Sequence, residues 1–281
     1  MDSSGILGKT SSLSEAGSDR LKAMIHGFSG TGKTRLASSV AQTGRTLLID
    51  LPHEGGIRTA KAEPWADNIE VLRPSTFEEL ERTFAELYKG DHGFNAVVFE
   101  SVSALAIMAM RRIVGFDEKK VRSLSEIANT DNAPRIHHWG QLSNLIEDHV
   151  NFWYALAEPD NTANPVHMVM TSQSRIVVGE EDEVADTMIG FDLSAKARTA
   201  TYAKPDYVWY TFVEPDASER KTLGPVSTAG EGRMRHVLRV LPHPNIYAKS
   251  RVPGNVEVPP IVGRKNDVTI PALMEVFGID N

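Results

Sequence analysis

Eight consecutive residues, Gly27-Phe28-Ser29-Gly30-Thr31-Gly32-Lys33-Thr34, restrict what this chain can fold into more than any other stretch. Their spacing is G-x-x-x-x-G-K-[ST], in which glycines let backbone N–H groups turn inward around an anion. A loop of this kind needs a strand before it and a helix after it. Leu21 to His26 is an apolar-leaning run that reads as a buried strand, and Lys33 to Ala41 carries helix formers with Leu36, Ala37 and Val40. Both requirements are met, so the loop is expected to hold the phosphates of a nucleoside triphosphate, ATP, together with Mg²⁺. Lys33 would contact the β- and γ-phosphates and the Thr34 hydroxyl would ligate the metal. Gly27, Ser29, Gly30, Thr31, Gly32, Lys33, Thr34 and Arg35 form the expected cofactor-binding set.

The remainder alternates in the same way. Thr46 to Ile49, Ile69 to Leu72, Phe94 to Phe99 and Val166 to Met170 are short apolar runs with the look of buried strands. A capped helix is expected from Ser75 or Thr76, with Phe77, Leu80, Phe84 and Leu87 on one face and Glu78 and Glu79 in its first turn. Ser103 to Val114 and Ile136 to Leu156 read as further helices, the second placing Trp139, Leu142, Leu145, Ile146, Val150 and Trp153 on a core-facing stripe. Tyr207 to Val213 and Met234 to Leu241 are later β candidates, and Ile270 to Phe277 a last helix that closes the sheet. Strands alternating with helices predict an α/β fold with a mostly parallel sheet, helices on both faces, and ligands beyond the carboxyl ends of the strands.

Composition bounds the partners. The 281 residues suit one large domain, 20–281, behind a Ser/Gly-rich flexible lead, 1–19. The first residues lack the charged-then-apolar layout of a signal peptide, and no run approaches the ~18 apolar residues that cross a bilayer, so no membrane is expected. With no cysteine there are no disulfides, thiolate metal sites or thiol nucleophiles, which fits a cytoplasmic setting. A formal net charge of −7 gives no support to bulk attraction for nucleic acid, so any such contact has to rest on local residues.

Three polar signatures, Gly27 to Thr34, Glu100-Ser101 and Thr171 to Gln173, each follow a buried strand. Glu100, after Val97-Val98-Phe99, stands where a carboxylate would hold a magnesium-bound water. Glu54 and Asp50 follow the second strand and are both candidates for the base or water-orienting group; Gly55-Gly56 favours Glu54, whereas Asp50 also suits capping the turn. Gln173, after Thr171-Ser172, reads either as a polar sensor of the γ-phosphate or as a hydrogen-bonded loop amide. His137-His138 suggests a metal pair, but adjacent helix positions point about 100° apart and no further ligands cluster nearby, so these are expected to be helix residues.

Taken together, Phe28-Ser29-Gly30-Thr31-Gly32-Lys33-Thr34, Leu48-Ile49-Asp50, Ala96 to Leu105 and Thr171-Ser172-Gln173 resemble the RecA-like P-loop ATPase core. The chain is most similar to the phage-encoded, RecA-related ATPases grouped with single-strand annealing proteins and labelled AAA-type nucleotide-binding proteins. The resemblance spans roughly Lys22 to Asn281. It implies an α/β RecA-like fold with antiparallel strands toward the C-terminus. It further implies a Mg-dependent, DNA-stimulated ATPase and recombination or annealing factor acting on ssDNA. Homo-oligomeric rings or filaments with nucleotide between subunits are implied, with a ssDNA-binding protein as a further partner. By the same resemblance Glu100 takes the metal-side position and Gln173 the sensor position leading into a DNA loop. Lys249 and Arg251 take the place of cations that reach a neighbour's nucleotide, though they also read as solvated loop charges. Lys33, Glu54, Glu100, Gln173, Lys249 and Arg251 make up the expected catalytic set. The DNA loop would span about Ser174 to Tyr202, with Arg175, Lys196, Arg198, Tyr202 and Lys204 as DNA contacts; its acidic centre, Glu180 to Glu183, suits a mobile flap equally. Gly115 to Pro134, with Lys119, Lys120 and Arg122, would be the first loop. Two departures stand out: Pro52 where the family carries a glutamate, and Glu100 in place of aspartate. A small-molecule kinase and a non-hydrolysing nucleotide-switch adaptor for a helicase or packaging machine are the rival readings.

Overall fold

The computed structural model describes residues 20–52, 55–116, 133–177, 188–215, 234–251, 261–264 and 268–279. The lead at 1–19, Glu54, Lys119, Lys120, Arg122 and Glu180 to Glu183 lie outside the described residues.

Strand β1 (Lys22–Gly27) runs into the glycine loop and helix α1 (Lys33–Ser38), which tightens into a 3-10 turn at Ser39–Gln42. Next come β2 (Thr46–Asp50), the short α2 (Ile57–Ala60), β3 (Ile69–Leu72), α3 (Phe77–Tyr88), β4 (Ala96–Glu100) and α4 (Val102–Ile113). The long α5 (Ile136–Ala155) leads to β5 (His167–Val177), β6 (Met188–Phe191), α6 (Ala195–Ala203), β7 (Tyr207–Pro215) and β8 (Met234–Arg239). The two-residue β9 (Lys249–Ser250), β10 (Ile261–Arg264) and α7 (Ile270–Phe277) complete the described elements. The strand order is β10-β8-β7-β1-β5-β4-β2-β3, with β6 on β5 and β9 on β7. Pairings from β7 through β3 on this path are parallel, and β8 and β10 add antiparallel strands at the other edge. The fold is therefore α/β, a mostly parallel sheet with antiparallel strands toward the C-terminus, as expected.

Alternation along the strands sorts side chains into two cores. Leu47, Ile49, Val97, Phe99, Met168 and Met170 face α3, α4 and α5, whereas Leu48, Ala96, Val98, Ala23, Ile25 and Val169 face α1 and α7. Every residue of β2 and β4 is buried, as strands covered on both faces must be. Helix starts follow ordinary cap chemistry: Thr76 accepts from the Glu79 N–H, Ser101 from Ala104 and Thr269 from Ala272. Among the described residues no helix is long and apolar enough to cross a membrane.

Three expectations are corrected here. Thr171-Ser172-Gln173 does not end its strand: β5 continues to Val177 and, from Ser174, changes partner to the antiparallel β6. The stretch taken as one DNA loop contains β6 and α6, and among its described residues it is largely ordered into strand and helix. Lys249 lies in β9 rather than in a loop. Polarity misdirects the reading of β5, because its polar groups are satisfied inside the fold: the Ser174 hydroxyl by His26 of β1, and the Ser172 hydroxyl and the Gln173 N–H by Ser103 of α4.

Candidate functional site

The glycine loop leaves β1 at Gly27 and closes on α1. Gly30 (φ 78°) and Gly32 (φ 84°) adopt the left-handed region, which is why glycine stands at both. Lys33 is buried, and its ammonium donates to the Gly27 carbonyl at 3.0 Å, the Phe28 carbonyl at 3.1 Å and Gln173 Oε1 at 3.0 Å. The Thr31 hydroxyl donates to the Phe28 carbonyl at 2.8 Å and meets Thr211 Oγ1 of β7 at 2.7 Å. Ser29 and Gly30 are exposed at the loop tip. His236 of β8 lies with Nδ1 3.1 Å from the Thr31 carbonyl.

Beside Lys33, the buried Thr34 hydroxyl donates to Glu100 Oε1 at 2.9 Å. Glu100 reaches it because β4 and β2 end together: Asp50 and Glu100 are register partners, and both lie on the α1 face by the alternation above. Asp50 is held by Arg73 Nε at 2.9 Å. The β2–α2 turn then folds back over the same hydroxyl, since a Cβ added to Gly56 would lie 2.1 Å from Thr34 Oγ1. Only glycine fits there. Following the cis Glu100–Ser101 peptide, Ser103 Oγ accepts from the Gln173 backbone N–H at 3.1 Å. Gln173 is thus fixed from both ends, by its amide oxygen on Lys33 and its main chain on α4.

On the opposite face of β1, His26 is fully buried, with Nδ1 2.9 Å from Ser174 Oγ and Nε2 2.5 Å from the Tyr247 carbonyl. Burial, reinforced by the nearby Lys33 charge against the pull of that carbonyl, pushes its pKa down to about 4.

Other expected residues sit elsewhere. Arg35 points away from the loop into a bidentate pair with Glu63. Lys249 is level with Val208, which is level with Met24, the third residue of β1; Arg251 binds Asp206, just before β7 begins. Both are therefore at the edge of the sheet opposite the loop, about 10 Å or more along the strands from Gly27 at ~3.3 Å per residue. Lys249 donates to the Ala203 carbonyl and stands over the Tyr202 ring at 5.0 Å; burial and Arg251, against Asp206, push it down to about 8. Of the five DNA candidates, Arg198 is buried and donates to the Phe191 and Leu193 carbonyls, and Tyr202 donates to Ala248. Lys196 is exposed and bound to Asn144, Lys204 pairs with Glu147, and Arg175 with Asp192. His138 Nδ1 accepts from the Arg135 N–H at the start of α5, an ordinary helix-end role. No metal-holding group of three or more His, Asp or Glu is found among the described residues.

Sequence reasoning read Gly56 only as freedom for Glu54 and passed over His26 and Ser103. A Gly-Gly pair after a strand was the available signal for the first; nothing local marks the other two, whose partners are more than 65 residues away.

The residues suit a triphosphate: a buried ammonium already gathered with main-chain oxygens of a left-handed glycine loop, a hydroxyl paired to a carboxylate, and a turn that admits no Cβ against it. Comparison with curated proteins finds no match. A family described as AAA domain matches residues 19–252, most of the chain. The protein therefore belongs to this AAA-domain family, with its nucleotide-binding P-loop at the carboxyl edge of a mostly parallel sheet.

Proposed function

We propose that the protein is a Mg-dependent ATPase whose nucleotide state is coupled to single-stranded DNA in a recombination or annealing role of phage type. The observation that carries the enzymatic part is the paired contact of Lys33 with Gln173 and of Thr34 with Glu100. Lys33 would exchange its carbonyl and amide acceptors for phosphate oxygens, releasing Gln173. Thr34 and Glu100 would hold Mg²⁺ directly and through water, and the metal would neutralise charge on the β- and γ-oxygens. Asp50, beside Glu100, and Glu54 remain the candidates for orienting the attacking water.

Two supports extend the reading. Gln173 is followed directly by the half of β5 that pairs with β6, a route from phosphate to a separate surface on which Arg175 is about half exposed. Arg175, Lys196 and Lys204 would exchange their partly exposed contacts with Asp192, Asn144 and Glu147 for DNA phosphates, whereas Arg198 is occupied inside. Lys249 and Arg251, at the wrong edge for their own loop, suit a role across a subunit boundary, which requires a homo-oligomer with nucleotide between copies.

The test is ATP turnover with and without ssDNA in the native protein and in Lys33→Ala. Native turnover should rise with ssDNA. The variant should lose about 10²–10³-fold, the scale of removing one strong donor to a developing charge. Saturable ATP binding without turnover would convert the reading to a switch adaptor, and phosphate transfer to a small acceptor would convert it to a kinase.

A further inference from the structure

Gln173 and Ser174 are consecutive, so their side chains leave β5 on opposite faces. Gln173 meets Lys33 on the α1 face; Ser174 meets His26 on the other. At this step β5 also changes partners, because Gly27↔Gln173 is its last pair with β1 and Ser174↔Phe191 its first with β6. A change in the Lys33–Gln173 bond therefore acts on the same stretch of backbone that carries the Ser174 hydroxyl.

The chemistry of His26 fixes the direction of its bonds. A neutral imidazole has one donor and one acceptor nitrogen. The Tyr247 carbonyl accepts only, so Nε2 carries the hydrogen; Nδ1 then accepts, and the Ser174 hydroxyl donates to it. The ring is confined by the edge of Phe191, centroids 5.0 Å apart, and by Tyr210 at 5.1 Å. Tyr247 in turn donates its N–H to the Ile189 carbonyl of β6, and the next two residues are Ala248, bound by Tyr202, and Lys249. One buried side chain thus joins the strand of the P-loop, the turning point of β5 and the segment that ends in Lys249 and Arg251.

We propose that His26 is a positioning residue that transmits the nucleotide-dependent state of Gln173 to the Tyr247–Arg251 segment, setting where Lys249 and Arg251 are presented. The inference rests on the nucleotide-sensing role proposed for Gln173. Its physical basis is the cost of leaving a buried polar group unmatched, which makes Ser174, His26 and Tyr247 move together.

Hydrogen exchange followed by mass spectrometry, with and without Mg-ATP, tests this in native protein, Ser174→Ala, His26→Leu and His26→Gln. In native protein Mg-ATP should slow exchange in both the P-loop peptide and the Tyr247–Arg251 peptide, the latter by about fivefold or more. Ser174→Ala, which deletes one hydroxyl and is the milder change, should keep the P-loop response and lose the distal one. His26→Leu should do the same, and His26→Gln, with a donor and an acceptor, should restore it. The dissociation constant for ATP should hold while kcat falls about tenfold in the uncoupled variants. An undiminished distal response in Ser174→Ala overturns the relay. So does a native protein whose P-loop responds while the distal peptide does not. If the native P-loop itself ignores Mg-ATP, the nucleotide reading fails and the relay falls with it.

Discussion

Gly56 illustrates how a single residue can be required by a contact that lies far away in sequence. Its missing Cβ makes room for the Thr34 hydroxyl, whereas the neighbouring Gly55 has nothing within 4 Å of the same added atom. Gly56→Ala should therefore displace Thr34 and weaken Mg-assisted ATP binding about tenfold or more, an overpacking cost of ~1–3 kcal/mol. Gly55→Ala should bind as the native protein does. Equal titration curves for the two variants would refute the close approach. The residue pattern of the loop was legible because its spacing is set by local backbone chemistry. The need for glycine at 56 was not, because it depends on where another segment lands.

At the scale of elements, α6 is the instructive failure. Its buried positions are Ala197, Arg198 and Thr201, so no run of large apolar residues signals a helix. What secures it is the Arg198 guanidinium, which satisfies the carbonyls of Phe191 and Leu193 and ties the helix to β6. Arg198→Ala should lower stability by about 1–3 kcal/mol in urea unfolding, since it strips a charged donor from the Leu193 carbonyl and from that of Phe191, which keeps the Leu193 N–H. The exposed Lys196→Ala should be nearly neutral. If Arg198→Ala unfolds like native protein yet loses ssDNA binding, the residue is a DNA contact after all. By contrast the start of α3, with Thr76 at its cap, was readable to within a residue.

For the whole molecule, buried histidines make stability sensitive to acid: His149 is lowered by burial, and His26 and His167 more strongly. His26 and His167 are each pushed down to about 4 by burial, with a nearby cation adding in both cases, from an ordinary 6.5. Their folded pKa values are depressed, so below 6.5 the unfolded chain takes up protons that the folded chain refuses. Stability is full above that pH and declines as pH falls toward 4. Urea unfolding at pH 7 and pH 5 should differ by about 2 kcal/mol for each histidine. His167→Gln should flatten the slope; an unchanged slope would contradict the burial argument. Assembly belongs to the same scale. Lys249→Ala should bind ATP yet lose turnover, and mixing it with Lys33→Ala should recover part of the activity if one copy completes another's site. Failure of the mixture to recover any turnover would remove the intersubunit role.

The amino-acid sequence alone determined the phosphate loop, the strand before it, the alternation that makes a parallel sheet, and Glu100 at the end of β4. Each depends on spacing within about ten residues, where backbone geometry and side-chain period leave few choices. Tertiary structure alone decided that Asp50 stands beside Glu100, that Gln173 takes the Lys33 ammonium, and that Lys249 and Arg251 end at the far edge of the sheet. It also decided that a histidine in β1 links β5 to the segment before β9. Those facts depend on strand order and on which buried polar groups find each other across the chain, and no local pattern encodes them.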